Sequence, residues 1–262
     1  MNTSPFLARV CTAACAILIC ILSSCSRQDT AVVHPLDSFF TSEVSPSELS
    51  WVRLSDNSSS VLMKTRSKTI LIDPGFLLPD EIECIKRHGI DMLLYTHEHA
   101  DHFEKNGARE LMEHLSPVVV IEPALKPHFD GISAGTLIVA ETGTEITHDD
   151  VTITPFTGYH GVPITLFGIV IDGISIFHGG DSGYVKTNGY RPDIAFVPTG
   201  EPSPTCSPDE AFRMISDLQP SVAVPFHGLP RQDETFAKLV TDAYDDIAVI
   251  ISRQYEIRTE SL

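Results

Sequence analysis

The sequence is short of positive charge: Lys and Arg number 18 against 35 Asp and Glu, a formal net charge of −17 over 262 residues with His neutral. Nucleic-acid binding draws most of its affinity from cations on phosphates. No basic run offers a groove for them, which argues against a nucleic-acid partner. Long hydrophobic stretches are scarce too. After residue 24 no uncharged apolar run approaches the roughly 20 residues that a membrane-spanning helix needs. No Cys-x-x-Cys pair occurs among the six cysteines, so a cysteine-built metal cluster is not expected. Glycine and proline are neither periodic nor clustered, which excludes collagen-like and low-complexity chains. An apolar content of 42% suffices for a core and excludes disorder.

The first 24 residues contain one charged side chain, Arg9, followed by the apolar run Val10 to Leu22. That run is too short to span a bilayer and fits the hydrophobic region of a secretory signal. The next residues, Leu22-Ser23-Ser24-Cys25, resemble a bacterial lipobox. The resemblance implies cleavage before Cys25 and acylation of that cysteine. The product would be an exported cell-envelope lipoprotein, periplasmic or in the outer membrane, held to a membrane through Cys25. An uncleaved anchor or an ordinary secretory signal is the alternative. Acyl chains would supply the adhesion, at about 0.8 kcal/mol per buried methylene. Cys84 and Cys206 then remain as free thiols or as one pair. Residues 25–47, polar and carrying Pro35 and Pro46, read as a tether, and residues 48–262 as the folded domain.

Within that domain, strands are expected at 60–64, 69–73, 92–95 and Val118 to Ile121. More follow at Thr136 to Ala140, Val151 to Pro155, Leu166 to Ile171 and Ile174 to Phe177. Helices are expected over Pro79 to His88, stopped by Gly89, and over Ala108 to Leu115. Ser207-Pro208-Asp209-Glu210 is a capping box that opens a further helix. Val222 to Phe226 is a strand, Asp233 to Tyr244 a helix and Ile247 to Ile251 a closing strand. Helix–strand alternation at both ends of a strand-rich middle points to an α/β sandwich. Val61 to Gly75 and Leu166 to Gly183 echo each other: strand, turn, strand, then Asp73 or Asp181.

The chemistry concentrates in Thr96-His97-Glu98-His99-Ala100-Asp101-His102, directly after a strand. Residues i and i+2 of an extended segment point the same way, so His97 and His99 can grip one ion. A turn beyond them can aim Asp101 and His102 at a second. Imidazole with carboxylate suits zinc, and also iron or manganese. Further candidates stand at other strand ends: His160, Asp181 within His178-Gly179-Gly180-Asp181-Ser182-Gly183, and His227. No serine or cysteine nucleophile elbow is expected.

These residues, in this order, resemble the metallo-β-lactamase superfamily across about 48–262. The resemblance implies a four-layer αββα sandwich with two divalent metal ions, zinc first and manganese or iron as alternatives. It implies His97, His99 and His160 on one metal, Asp101, His102 and His227 on the other, and Asp181 bridging. Asp73 would brace the metal loop, His178 would stand behind the ligands, and Asp101 would also relay a proton. The stretch Pro198-Thr199-Gly200 through Ser207-Pro208, then Val224-Pro225-Phe226-His227, is most similar to the branch of ascorbate-phosphate lactonases and N-acylphosphatidylethanolamine phospholipase D. The implied activity is attack by a metal-bridging hydroxide on an ester, lactone or phosphodiester of a small or lipid-derived substrate. A phospholipase D-like lipid phosphodiesterase and a non-catalytic metal-binding lipoprotein are the competing readings.

Overall fold

Two seven-stranded sheets follow from strands that are apolar at consecutive positions, because both of their faces are buried. In β2 (Val61–Lys64), β3 (Thr69–Ile72) and β4 (Met92–Tyr95), Val61, Met63, Ile70, Ile72, Met92 and Leu94 face the second sheet. The alternate residues Leu62, Leu71, Leu93 and Tyr95 face outward, under helices. The computed structural model describes residues 34–132, 135–202 and 206–262, together with Met1. The leader, Cys25 and most of the expected tether lie outside them.

The first sheet is completed by β1 (Glu48–Arg53), β5 (Val118–Ile121), β6 (Thr136–Val139) and β14 (Arg258–Ser261), in the order β14-β1-β2-β3-β4-β5-β6. The second contains β7 (Ile146–His148), β8 (Val151–Thr157), β9 (Thr165–Ile171), β10 (Ile174–His178), β11 (Ile194–Pro198), β12 (Val222–Phe226) and β13 (Ala248–Val249), in the order β13-β12-β11-β10-β9-β8-β7. Each sheet begins with antiparallel pairs and ends in parallel strands: β14 to β3 then β4 to β6, and β7 to β10 then β11 to β13. The sequence echo therefore corresponds to a repeated topology, with β2–β3 and β9–β10 in equivalent places. The C-terminal strand β14 closes the edge of the first half, as β7 closes the second.

Inner faces of both sheets share one apolar core, in which Trp51 meets Phe196 edge-on at 5.1 Å. Helices α1 (Pro35–Thr41), α2 (Pro79–His88) and α3 (Lys105–Leu115) cover the first sheet. Helices α4 (Pro208–Leu218) and α5 (Pro230–Ala243) cover the second. The four layers are α, β, β, α, the fold expected from sequence.

Helix α1 corrects the boundary drawn at residue 47. From His34 the chain is ordered against the domain, with Leu36 and Phe39 fully buried. His34 Nδ1 accepts from the Leu36 N–H, and the His34 N–H donates to Asp37 at 2.8 Å. Asp37 also accepts from Arg87 at 2.6 Å and from His88 at 2.8 Å, pinning α1 to α2. Two apolar residues in a polar context gave too weak a pattern to reveal this. Cys84 and Cys206 are free and buried in opposite outer layers, so they do not pair.

Candidate metal centre

Parallel strands deliver their C-terminal ends to one edge, and the chemistry-bearing residues follow those ends. β3 leads to Asp73, β4 to Thr96 and His97, β10 to Asp181, β11 to Thr199 and β12 to His227. Ligands of open α/β sheets bind at such carboxyl ends. His160 arrives from the loop between β8 and β9.

The seven expected ligands converge. Donor atoms of His97, His99, His160 and Asp181 lie within 4.8 Å of one another, and so do those of Asp101, His102, Asp181 and His227. His99 Nδ1 is 3.1 Å from both His97 Nε2 and His160 Nε2. Asp181 Oδ2 stands 3.9 Å from His97 Nε2, 3.2 Å from His102 Nε2 and 3.4 Å from His227 Nε2. Asp101 Oδ2 is 3.1 Å from His227 Nε2 and 3.4 Å from His102 Nε2. Two donor groups thus share one carboxylate.

Asp73 faces the back of this cluster and is saturated by the protein. Its Oδ1 accepts from the Thr96 N–H at 2.7 Å, and its Oδ2 from the hydroxyls of Thr96 at 2.6 Å and Ser59 at 2.8 Å. His102 Nδ1 lies 3.0 Å from the same oxygen. These bonds fix two tautomers. The Thr96 hydroxyl gives its proton to Asp73, so at 2.9 Å it accepts from His97 Nδ1. Both His97 and His102 then carry a proton on Nδ1 and turn Nε2 to the centre, the orientation in which imidazole meets a metal. His178 acts one step further back, its Nε2 donating to the Ser59 carbonyl at 2.8 Å.

Electrostatics divide the histidines into two sets. Burial, with His102 nearby, pushes His97 down to about 3, and burial lowers His160 and His178. Burial also opposes charge on His102, but the carboxylates of Asp181, Asp101 and Asp73 outweigh it and pull its pKa well above 6.5. His227 is raised likewise, by Asp101 and Asp181 against burial. The same histidines hold Asp101 and Asp181 well below the usual carboxylate range despite burial. His102 Nε2 and Asp181 Oδ1 are both buried without a hydrogen-bond partner among the described residues. Orphaned polar atoms inside a ring of imidazoles and carboxylates fit cations.

A profile described as "Beta-lactamase superfamily domain" matches residues 51–227. This chain belongs to the metallo-β-lactamase superfamily. A UPF0173 protein of Pyrococcus abyssi is 35% identical over 172 residues, covering 63% of this chain and 78% of that one. The UPF0173 metal-dependent hydrolase of Thermoplasma acidophilum is 31% identical over 185 residues, covering 61% and 75%. The superfamily member thus falls in the UPF0173 family of metal-dependent hydrolases. Among solved structures, the metallo hydrolase Igni18 of Ignicoccus hospitalis shares the fold, with a TM-score of 0.69 at 22% identity over 82% of this chain and 99% of that one.

Three supports of the superfamily centre had no signal in the sequence. Ser59 is one of three adjacent serines, and Thr199 and Asp233 stand far apart. His227 sits at φ 55°, a left-handed conformation that costs a non-glycine residue energy. Thr199 holds this turn: its N–H donates to the Phe226 carbonyl at 3.1 Å, and its hydroxyl donates to Asp233 at 2.5 Å. A Cβ on Gly228 would overlap both side chains. Beside the ligand segments, Tyr159 and Arg231 are exposed, and Glu201 offers its carbonyl to Gln232. One Gly-x-Ser-x-Gly string does occur, Gly131 to Gly135, with Ser133 outside the described residues. It lies between a 3₁₀ turn (Pro123–Phe129) and β6, not on the strand-to-helix turn of a nucleophile elbow.

Proposed function

We propose that this chain is a dinuclear hydrolase of esters or lactones. His97, His99, His160 and Asp181 would hold one ion, and Asp101, His102, His227 and the shared Asp181 the other. The observation that carries the reading is Asp181, common to both donor groups. Nitrogen and oxygen donors without thiolate suit zinc first, with manganese or iron as alternatives. Bound ions of this kind acidify water and polarise the bond under attack. The protein supplies orientation through Asp73, Thr96 and Ser59, and Asp101, more exposed than Asp181, is suited to relay a proton toward the leaving group.

A cavity of about 570 Å³ opens beside His160, lined by Glu122, Glu141, Tyr159, Val162 and Pro163 among others. No Lys or Arg contributes to its wall. That lining favours an uncharged ester or lactone over a phosphodiester anion, and so counts against the lipid-phosphodiesterase reading. Space for a substrate beside the ligands counts against a purely metal-storing role. The leader supports export and a lipid anchor at Cys25, in keeping with a lipid-derived or small-molecule substrate.

The test is metal analysis of the purified chain, with turnover on an aryl ester, a γ-lactone and an aryl phosphodiester. Two ions per chain are expected, with ester or lactone turned over faster than phosphodiester. Asp181→Ala and His97→Ala should lose metal together with rate. Full activity in either variant, or two tightly held ions with no turnover on any probe, overturns the reading.

A further inference from the structure

Among the described residues from His34 on, the large apolar side chains that are more than half exposed lie on loops that carry or touch the candidate ligands, while the less exposed Leu137, Val170 and Ile251 lie elsewhere. Phe76 and Leu78 are 67% and 51% exposed, Tyr159 65% and Leu229 67%. Tyr159 adjoins His160, and Leu229 is two residues past His227. Phe76 follows Gly75, whose backbone is pressed so closely on Asp101 and His102 that a Cβ there would overlap their main chain. Chain connectivity alone therefore keeps these side chains at the rim of the centre. Scattered single apolar residues need no explanation, whereas a group around one edge marks a contact surface.

The folded domain begins alongside α2, where the His34 N–H is bonded to Asp37, itself paired with Arg87 and His88 in the last turn, while the His34 ring reaches the first turn. His34 Nε2 is 3.8 Å from Asp80 in the first turn of α2, and Asp80 is two residues past Leu78. Nine residue steps separate His34 from Cys25, a reach of about 30 Å at most. Phe76 and Leu78, beside the first turn of α2, are therefore within tether length of a membrane that holds a lipid on Cys25. The acidic chain gives anionic head groups nothing to attract, which leaves apolar contact as the means of adhesion.

We propose that the rim formed by Phe76, Leu78, Tyr159 and Leu229 is a docking surface for a phospholipid bilayer, so that the candidate metal centre opens toward the membrane that anchors the chain. The inference rests on the anchor at Cys25 and deepens the hydrolase reading by assigning the centre an uncharged substrate that partitions into the membrane. Trp51, the sole tryptophan, is buried, so a tryptophan introduced at the rim reports on its own surroundings.

The full chain carrying Phe76→Trp is mixed with dioleoylphosphatidylcholine vesicles with and without brominated acyl chains. The control is Val170→Trp, an exposed position five residues along β9 from Thr165, about 17 Å from the rim end of that strand. Blue-shifted emission and quenching at least twofold stronger at position 76 than at 170 are expected. Quenching that is absent at 76, or equal at both, overturns the proposal. So does a blue shift at 76 that needs no vesicles and rises with protein concentration, which would make the rim a contact between copies of this chain. Mass analysis of Cys25 and metal content, measured on the same samples, separate failure of the anchor or of the metal reading from failure of the docking surface.

Discussion

Asp73 carries more of the centre than its position outside the ligand set suggests. It accepts four polar contacts and sets the tautomers of His97 and His102 at once. Asp73→Asn should leave the fold intact and weaken metal affinity about 10- to 100-fold, the usual effect of losing a partner behind a ligand. Competition against a chromophoric chelator measures it. Gly228→Ala forces the His227 turn away from Thr199 and Asp233. We expect about 1–3 kcal/mol of lost stability, the usual cost of overpacking, by denaturant titration. On the proposed dinuclear reading, an ion at Asp101, His102 and His227 would be released before one at His97, His99 and His160. Acid should release metal as well. His102 and His227 have raised pKa values, so loading displaces protons from them, and affinity falls as pH drops through those values. Calorimetry in buffers of different ionisation enthalpy should register at least one proton released on loading.

At the scale of elements, α1 is the least obvious part of the fold and a firmly attached one. Phe39→Ala removes a fully buried ring and should cost about 3–5 kcal/mol. Asp37 adds a pH dependence. Its carboxyl is held below the ordinary 3.8 by His88, with the His34 N–H and Arg87 assisting against burial. A depressed carboxylate contributes stability that is complete above the unfolded pKa and disappears as pH falls through the lower folded value. Protection of the α1 amides, taken relative to their intrinsic exchange rates, should therefore fall below about pH 4, and Asp37→Asn should remove that dependence. Elements with strong local signals were legible from sequence. Pro79 to His88, Val118 to Ile121 and the capped helix from Pro208 coincide with their expected ranges. β1, β7, β11 and β14 were not foreseen. β14 reads Arg258-Thr259-Glu260-Ser261 and is a strand only because β1 offers it an edge.

At the scale of the molecule, the core between the sheets is continuous and apolar and does not involve the candidate ligands. Chelation should therefore leave far-ultraviolet circular dichroism unchanged and lower the melting temperature only by the linkage of bound metal to the native state. Collapse of secondary structure on chelation would mean that the centre, not the sandwich, holds the two halves together.

The order of His97, His99, Asp101, His102, His160, Asp181 and His227 along the chain was enough to read the fold class and to name side chains that converge. Their residue types have few uses together, and short strands apolar on both faces have few ways to pack. What only the tertiary structure decided is everything that depends on distant residues meeting. Asp181 is shared by two donor groups because β10 ends beside β4 across the sandwich. Ser59, Thr199 and Asp233 became supports, and Phe76 and Leu229 rim residues, through pairings between strands whose separation in sequence carries no local signal.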